Sequence, residues 1–388
     1  MKKKIIHFKP DTFLPITENW IYNQMKGLDR FIPVVYTEKI ENLDIFPLER
    51  IRLFQSYQPD NSSFLKFLKK FKHNFSILSF LYKDKPDIIH AHYGPAGYFF
   101  LPFKKFYNAP LITTFYGYDV NTLPLKDNRW KRKYEKLFKK GDIFLVEGNH
   151  MKNSLVKRGC PTKKIVVYHL GVDTSKIYFS ERKIGWDNEI KILTACRFAE
   201  KKGLQDAIIA FSIVLRKLEK LNKKITFTIL GDSDGSIDQE KEKKKLLKLI
   251  NELNIIKNVF MIGPKSHQEF IDILFRHHIF FHPSIHAQNG DSEGGAPVSI
   301  IEASASGMPV VATYHCDIPE VILDKKTGLL SPEKNIELLA KNLFTMACQP
   351  EDWPKYGKAG RKHIENNYNS ALQIKKLESI YFSLIDQL

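Results

Sequence analysis

Short runs of β-branched and aromatic residues recur along the whole chain, and most are continuously apolar rather than alternating. In the first half they fall at 4–8 (KIIHF), 31–37 (FIPVVYT), 87–92 (DIIHAH), 110–116 (PLITTFY), 143–148 (IFLVEG) and 164–170 (KIVVYHL). In the second half they fall at 189–196 (EIKILTAC), 224–231 (KITFTILG), 258–263 (NVFMIG), 278–284 (HIFFHPS) and 309–313 (PVVAT). Runs of this kind mark strands covered on both faces. Helical spacing separates them, at 19–28, 63–81 and 129–140, and again at 204–221, 241–253, 267–275 and 297–306. Strand–helix alternation predicts an α/β fold with parallel sheets, here two doubly wound, Rossmann-like domains with ligands at the carboxyl ends of their strands and a cleft between. The polar stretch 171–188 separates the halves, so the expected domains are 1–175 and 176–365. Over 354–388 the pattern is helical. Ile374, Leu377, Tyr381 and Leu384 mark one face, and 366–388 is expected to pack back on the first domain.

A length of 388 residues fits two or three domains. With 43% hydrophobic and 27% charged residues the chain is neither disordered nor fibrous. No apolar run reaches the length of a membrane-spanning helix. The basic start meets Pro10 and Asp11 too early for the apolar core of a signal peptide. Cys160, Cys196, Cys316 and Cys348 show no paired spacing, which excludes a zinc ribbon or a disulfide-dense domain and suits a reducing cytosol. The net charge of +17 is unevenly spread: residues 1–170 hold 30 Lys and Arg against 15 Asp and Glu, the remainder 30 against 28. A basic first half attracts nucleic acid, anionic lipid or an anionic substrate, and the sign alone does not choose.

The most informative segment is 291–313, DSEGGAPVSIIEASASGMPVVAT. It leaves a strand, turns through two glycines and enters a helix, with Pro297 suited to the first helical position. The amides of Gly294, Gly295 and Ala296 then face out of a helix N-terminus, a phosphate cradle. Glu302, further into the helix, can accept two ribose hydroxyls, and Glu293 stands next to the cradle. The same pattern also fits a plain βα unit with a solvated glutamate. At 196–207, CRFAEKKGLQDA, Arg197 sits at a strand tip and Lys202 opens the next helix. Together they can neutralise a departing diphosphate, or form only a basic loop on a basic protein.

An Arg197-x4-Lys202-Gly203 motif followed by Glu293-Gly, Glu302-Ala and Gly307-x-Pro-Val-Val-Ala-Thr resembles family 4 of the retaining GT-B glycosyltransferases. The runs 317–332 (DIPEVILDKKTGLLSP) and 169–173 (HLGVD) continue the likeness. Runs 15–28 (PITENWIYNQMKGL), 90–94 (HAHYG) and 114–119 (TFYGYD) resemble bacterial members that build exopolysaccharide, of the colanic-acid type. The resemblance covers nearly the whole chain, most strongly 190–332. It implies a nucleotide-sugar donor in the second domain, a glycan or polyprenyl-diphosphate-linked acceptor in the first, and transfer with retention in surface polysaccharide synthesis. Arg197 and Lys202 would bind the diphosphate with Gly294, Gly295 and Ala296, Glu302 the ribose, and Glu293 the donor sugar. Glu293, Arg197 and Lys202 form the implied catalytic set, acting by leaving-group stabilisation without a metal or other cofactor. The implied acceptor-side residues are Thr17, Glu18, His92, Tyr116 and Asp119. Such an enzyme would be cytoplasmic, peripheral on the anionic inner face of the membrane, and would not bind nucleic acid.

Two positions depart from the family. The family usually places seven residues between its glutamates, whereas 294–301 (GGAPVSII) counts eight. The acceptor-side histidine that many members carry after Thr-Phe is Tyr116 here. A neutral phenol cannot do an imidazole's proton chemistry at neutral pH, so either His92 takes part of that role or it is a strand-end histidine bonded to the backbone. Asp232-Ser-Asp234 spells a metal-binding triplet of the other glycosyltransferase fold but lies in a glycine-flanked turn, where aspartate is favoured for backbone reasons. His277, His278, His282 and His286 lack a carboxylate or cysteine at ligand spacing. Helix 63–82 gathers Phe64, Leu65, Leu68, Phe71, Phe75 and Leu78 on one side, with Lys66, Lys69, Lys70 and Lys72 around them. That is either a lipid-interface helix or a packed helix with solvated lysines. A nucleic-acid-binding protein and a sugar-nucleotide epimerase on the same fold are the rival readings. The first leaves the phosphate cradle unexplained, and the second does not require the basic half.

Overall fold

The structure, a computed structural model, describes residues 2–15, 18–54, 63–185 and 188–386, with the side chains of 63–73 left out. It divides into two units, Met1–Gly171 with Ser370–Leu388, and Val172–Asn369. The divisions fall at 171/172 and 369/370, against the expected 175/176 and 365/366. The backbone explains the place: the Val172 amide donates to Tyr368 O at 2.8 Å. A Cβ on Gly171 would lie 2.6 Å from the Ser370 Cα, so only glycine permits that approach.

The first unit is built on a seven-stranded parallel sheet ordered Ile51–Leu53, Phe31–Thr37, Lys3–Phe8, Ile88–His92, Leu111–Thr114, Ile143–Val146, Ile165–Val167. The second unit carries a six-stranded parallel sheet ordered Val259–Met261, Lys224–Leu230, Glu189–Ala195, Ile279–His282, Val310–Thr313, Gly328–Ser331. Central strands such as 279–282 and 310–313 are buried along their whole length, as their unbroken apolar runs require. Both units are doubly wound, as the strand–helix alternation predicts. Among the described residues no helix is long and apolar enough to cross a membrane.

Most predicted helices appear within a few residues, among them Arg129–Lys140, Leu204–Glu219 and His267–Leu274. The tail is two helices, Trp353–Asn367 and Ser370–Ile385, broken at the crossing point. On the second, Leu377 and Tyr381 are fully buried and Leu384 nearly so, against Ile5, Phe31, Ile88 and Ile112 of the first unit. The Tyr381 hydroxyl lies 2.7 Å from His90 Nδ1, which ties this helix to the sheet's middle strand. Helix Ser63–Asp84 keeps Ile77 and Leu81 in the core. Of the face read from sequence, Phe75 is 64% exposed, Leu78 packs against the core, and Phe64, Leu65, Leu68, Phe71 and the four lysines lie outside the described side chains.

Candidate functional site

In the second unit, strand Glu189–Ala195 ends in Cys196 and Arg197, and a short turn Glu200–Lys202 follows. Gly203 closes that turn at φ 64°, where a Cβ would meet the Pro283 carbonyl oxygen at 1.9 Å. This glycine lets the turn lie against the end of the neighbouring strand, Ile279–His282, and so puts Lys202 beside the loop after that strand. Lys202 Nζ is 2.7 Å from Glu293 Oε2, with the two side chains 12% and 6% exposed. Ser284 donates to Glu293 Oε1 at 2.7 Å, and His282 Nε2 stands 3.7 Å from that oxygen. Burial opposes the Glu293 charge, yet Lys202, His282 and Lys201 together hold its carboxyl well below the usual range. Lys201 secures the same loop through Ser292 O at 3.0 Å and Asp291 at 3.2 Å.

Arg197 is half exposed, with a guanidinium nitrogen 3.5 Å from Asp234 Oδ2. Burial pushes the Cys196 thiol, next to Arg197 in the chain, up to about 12. Gly294 bends the chain at φ 76°. Helix Val298–Ala305 then begins one residue later than expected: Pro297 caps it with ψ 131° instead of occupying its first turn. The bend at Gly294–Gly295 thus lies outside the helix. Glu302 is 8% exposed, and its Oε1 is 2.6 Å from His267 Nε2. That hydrogen bond raises His267 above its ordinary value despite partial burial. Glu302 is thus bonded to His267, whereas Glu293 is paired with Lys202. Asp232 is paired with Lys243 at 2.6 Å, and Asp234 accepts from Ser236 N and Gln239 as well as from Arg197.

In the first unit a cavity of about 440 Å³ is lined by Pro10, Asp11, Glu18, His92, Tyr93, Pro95, Ala96, Tyr118 and Asp119. Its floor is the end of strand Ile88–His92, where Tyr93 takes φ 72° and leads into helix Gly94–Phe100. A Cβ on Gly94 would come within 2.3 Å of Phe115. Asp119 Oδ2 accepts the Gly94 amide at 2.7 Å and Oδ1 the Tyr116 amide at 3.0 Å. Burial nevertheless pushes its carboxyl up to about 6. Lys9, buried, pairs with Asp11 at 2.7 Å and Glu18 at 3.3 Å, and Tyr93 OH donates to Glu18 Oε1 at 2.8 Å. Behind the cavity His92 Nδ1 is 2.7 Å from Tyr116 OH, and its Nε2 is 2.9 Å from His7 Nδ1. Burial depresses all three histidines His7, His90 and His92, with His90 at about 3, and raises Tyr116. The chain Tyr116–His92–His7 is therefore uncharged.

Of the acceptor-side residues expected from sequence, Glu18, His92 and Asp119 line one cavity, Tyr116 stands behind His92, and Thr17 lies outside the described residues. His92 is bonded to side chains and not only to the backbone. Ser284 and His315 around Glu293, and Lys9, Tyr93 and His7 in the first unit, were not singled out by sequence, and His282 was weighed only as a metal ligand. Their residue types were visible at strand ends, but which partner each meets is a matter of sheet order.

Residues 178–363 match the family model for glycosyl transferases group 1, and residues 18–176 that for glycosyltransferase family 4. The putative colanic acid biosynthesis glycosyltransferase WcaL of Escherichia coli is 30% identical over 304 residues, 77% of this chain and 71% of the relative. The amylovoran biosynthesis glycosyltransferase AmsK of Erwinia amylovora is 29% identical over 76% of this chain and 69% of its own. Among solved structures, Anabaena HepE in complex with UDP superposes with a TM-score of 0.80 at 16% identity, covering 98% of this chain and all of that one. This last likeness is one of fold.

Proposed function

The chain belongs to glycosyltransferase family 4, and on that premise we propose that it is a retaining, metal-independent enzyme moving a sugar from a nucleotide-sugar donor to a glycan in bacterial surface polysaccharide synthesis. The observation that carries the donor reading is the Lys202–Glu293 pair beside the Gly294–Gly295 bend. Lys202 and the half-exposed Arg197 offset the charge that develops on a departing diphosphate. When the diphosphate draws Lys202, the Glu293 carboxylate is free to accept hydroxyls of the donor sugar. Glu302 takes the ribose hydroxyls in exchange for His267. The bond from the anomeric carbon to the phosphate oxygen breaks, a bond to the acceptor oxygen forms on the same face, and the acceptor's proton passes to the departing phosphate. Two cationic side chains supply the charge that a divalent ion supplies elsewhere.

The first unit takes the acceptor. Its cavity has the volume of a small-ligand site, and its phenols, carboxylates and neutral imidazole suit sugar hydroxyls. The colanic acid and amylovoran relatives support a polysaccharide acceptor, which we read as carried on polyprenyl diphosphate at the inner membrane surface. Exposed Phe75 and Tyr82 stand two helical turns apart on one face, Tyr82 packs against Tyr107, and Phe106, next to Lys105 in the chain, is 63% exposed. Such a surface suits anionic lipid, by charge attraction and shallow apolar insertion. Thermal stabilisation by a panel of UDP-, GDP- and ADP-sugars identifies the donor, and NMR of the product's anomeric proton during transfer in EDTA tests the mechanism. An inverted product, or activity lost to EDTA and restored by Mn²⁺, would sink the retaining or metal-independent reading. Sedimentation with anionic but not neutral vesicles, reversed by salt, is the expected membrane behaviour.

A further inference from the structure

Glu333 follows the last strand of the second unit's sheet, Gly328–Ser331. The His286 amide donates to its Oε2 at 2.7 Å, and the Nδ1 atoms of His286 and His315 each stand 2.8 Å from Oε1. On the far side of the His315 ring, Nε2 accepts the Glu293 amide at 3.1 Å. The Cys316 thiol, 3.2 Å from the same nitrogen, can donate to it as well. One carboxylate thus holds both ends of the loop 286–293, directly at His286 and through His315 at Glu293. Only a neutral imidazole with its proton on Nδ1 can make both bonds, donating to Glu333 and offering the Nε2 lone pair to the amide. The carboxylate is well suited to this: burial opposes its charge, but hydrogen bonds from His315 and His286 hold it at about 2.

His286, His315 and Glu333 also have the spacing of a metal site. A cation on Nδ1 would leave the ring proton on Nε2, facing the Glu293 N–H donor to donor. The hydrogen bond from Glu293 therefore favours a relay over a metal.

We propose that Glu333 is a positioning residue of the donor site: by fixing the His315 tautomer it seats the Glu293 main chain, and with it the Glu293–Lys202 pair, before a nucleotide sugar arrives. The proposal rests on the donor reading given above. An acid that orients a catalytic imidazole from behind has the same logic in hydrolase triads, where amide replacement reverses the tautomer. Histidine labelled with ¹⁵N, assigned by loss of the signal in His315→Gln, should report His315 protonated on Nδ1 in the wild type. Glu333→Gln, whose amide can donate where the carboxylate only accepts, should lower kcat/KM with the stabilising nucleotide sugar by roughly tenfold to a hundredfold. Its affinity for the free nucleoside diphosphate should fall less than kcat/KM does, because Arg197 stands outside the Glu333–His315 relay. Glu333→Asp keeps the carboxylate and should recover part of the lost activity. A wild-type His315 protonated on Nε2, or Glu333→Gln kinetics within threefold of wild type, would overturn the proposal. If the Gln variant does not fold, the wild-type tautomer still decides. A wild type with the Nδ1 signal that turns over no nucleotide sugar would overturn the donor reading and leave the tautomer assignment upheld.

Discussion

The histidine cluster of the first unit and the Lys202–Glu293 pair of the second are built on opposite principles. In the first, His7, His90 and His92 are depressed by burial and Tyr116 is raised, while Lys9 at the nearby cavity is ion-paired with Asp11 and Glu18. In the second, Glu293 is held ionised by Lys202 at 2.7 Å. Both lie at the ends of parallel strands. The difference lies in whether a countercharge is within reach. Without one, burial discharges a group; with one at 2.7 Å, the pair stays charged and its geometry is held. A glycan hydroxyl needs the first kind of surface and a diphosphate the second.

Breaking the charged site should have the largest effect. Lys202→Ala leaves Glu293 buried and unpaired, so it should cost about 3–5 kcal/mol of stability and lower turnover by roughly 10²–10³. Arg197→Ala should also lower turnover, but with little change in thermal unfolding, because that side chain is half exposed. Equal thermal loss in the two variants, measured by calorimetry, would erase the distinction between them. Adding Glu293→Gln to Lys202→Ala should restore stability without restoring activity.

The neutral site should yield a smaller and different effect. Tyr116→Phe removes the hydroxyl next to His92 Nδ1 and should cost about 1–3 kcal/mol, since a buried ring nitrogen loses its partner. Transfer to a glycan should fall while nucleotide-sugar binding and slow donor hydrolysis continue. Loss of nucleotide binding in this variant would break the assignment of separate tasks to the two units.

The smallest effect is set by pH. His267 is raised by Glu302, so the stability of this pair is fully present below the ordinary histidine value and is lost as pH rises through the folded value. Wild type should therefore unfold about 1–2 °C above His267→Ala at pH 6, the difference closing by pH 9. A difference that grows with pH would reverse the assigned direction.

Much of the molecule was legible in the sequence. Continuous apolar runs and helical spacing are local signals, and they placed eleven strands and most helices because a doubly covered strand must be apolar on both faces. The places of Arg197, Lys202, Glu293 and Glu302 at strand ends and on a helix were equally legible, since their spacing is bound to those elements. The start of helix 298–305 was misplaced by one residue, because Pro297 satisfies either an N-cap or a first turn. The chain alone did not state what each charge meets. Lys202 and Glu293 are 91 residues apart and join only because Gly203 admits the Pro283 carbonyl and the strands 189–195 and 279–282 are neighbours. His7, His92 and Tyr116 likewise touch because their strands lie side by side. Periodicity is written residue by residue, and sequence by itself determined the elements. Partnership between buried polar groups depends on sheet order and on distances of 3 Å, and only the tertiary structure decided it.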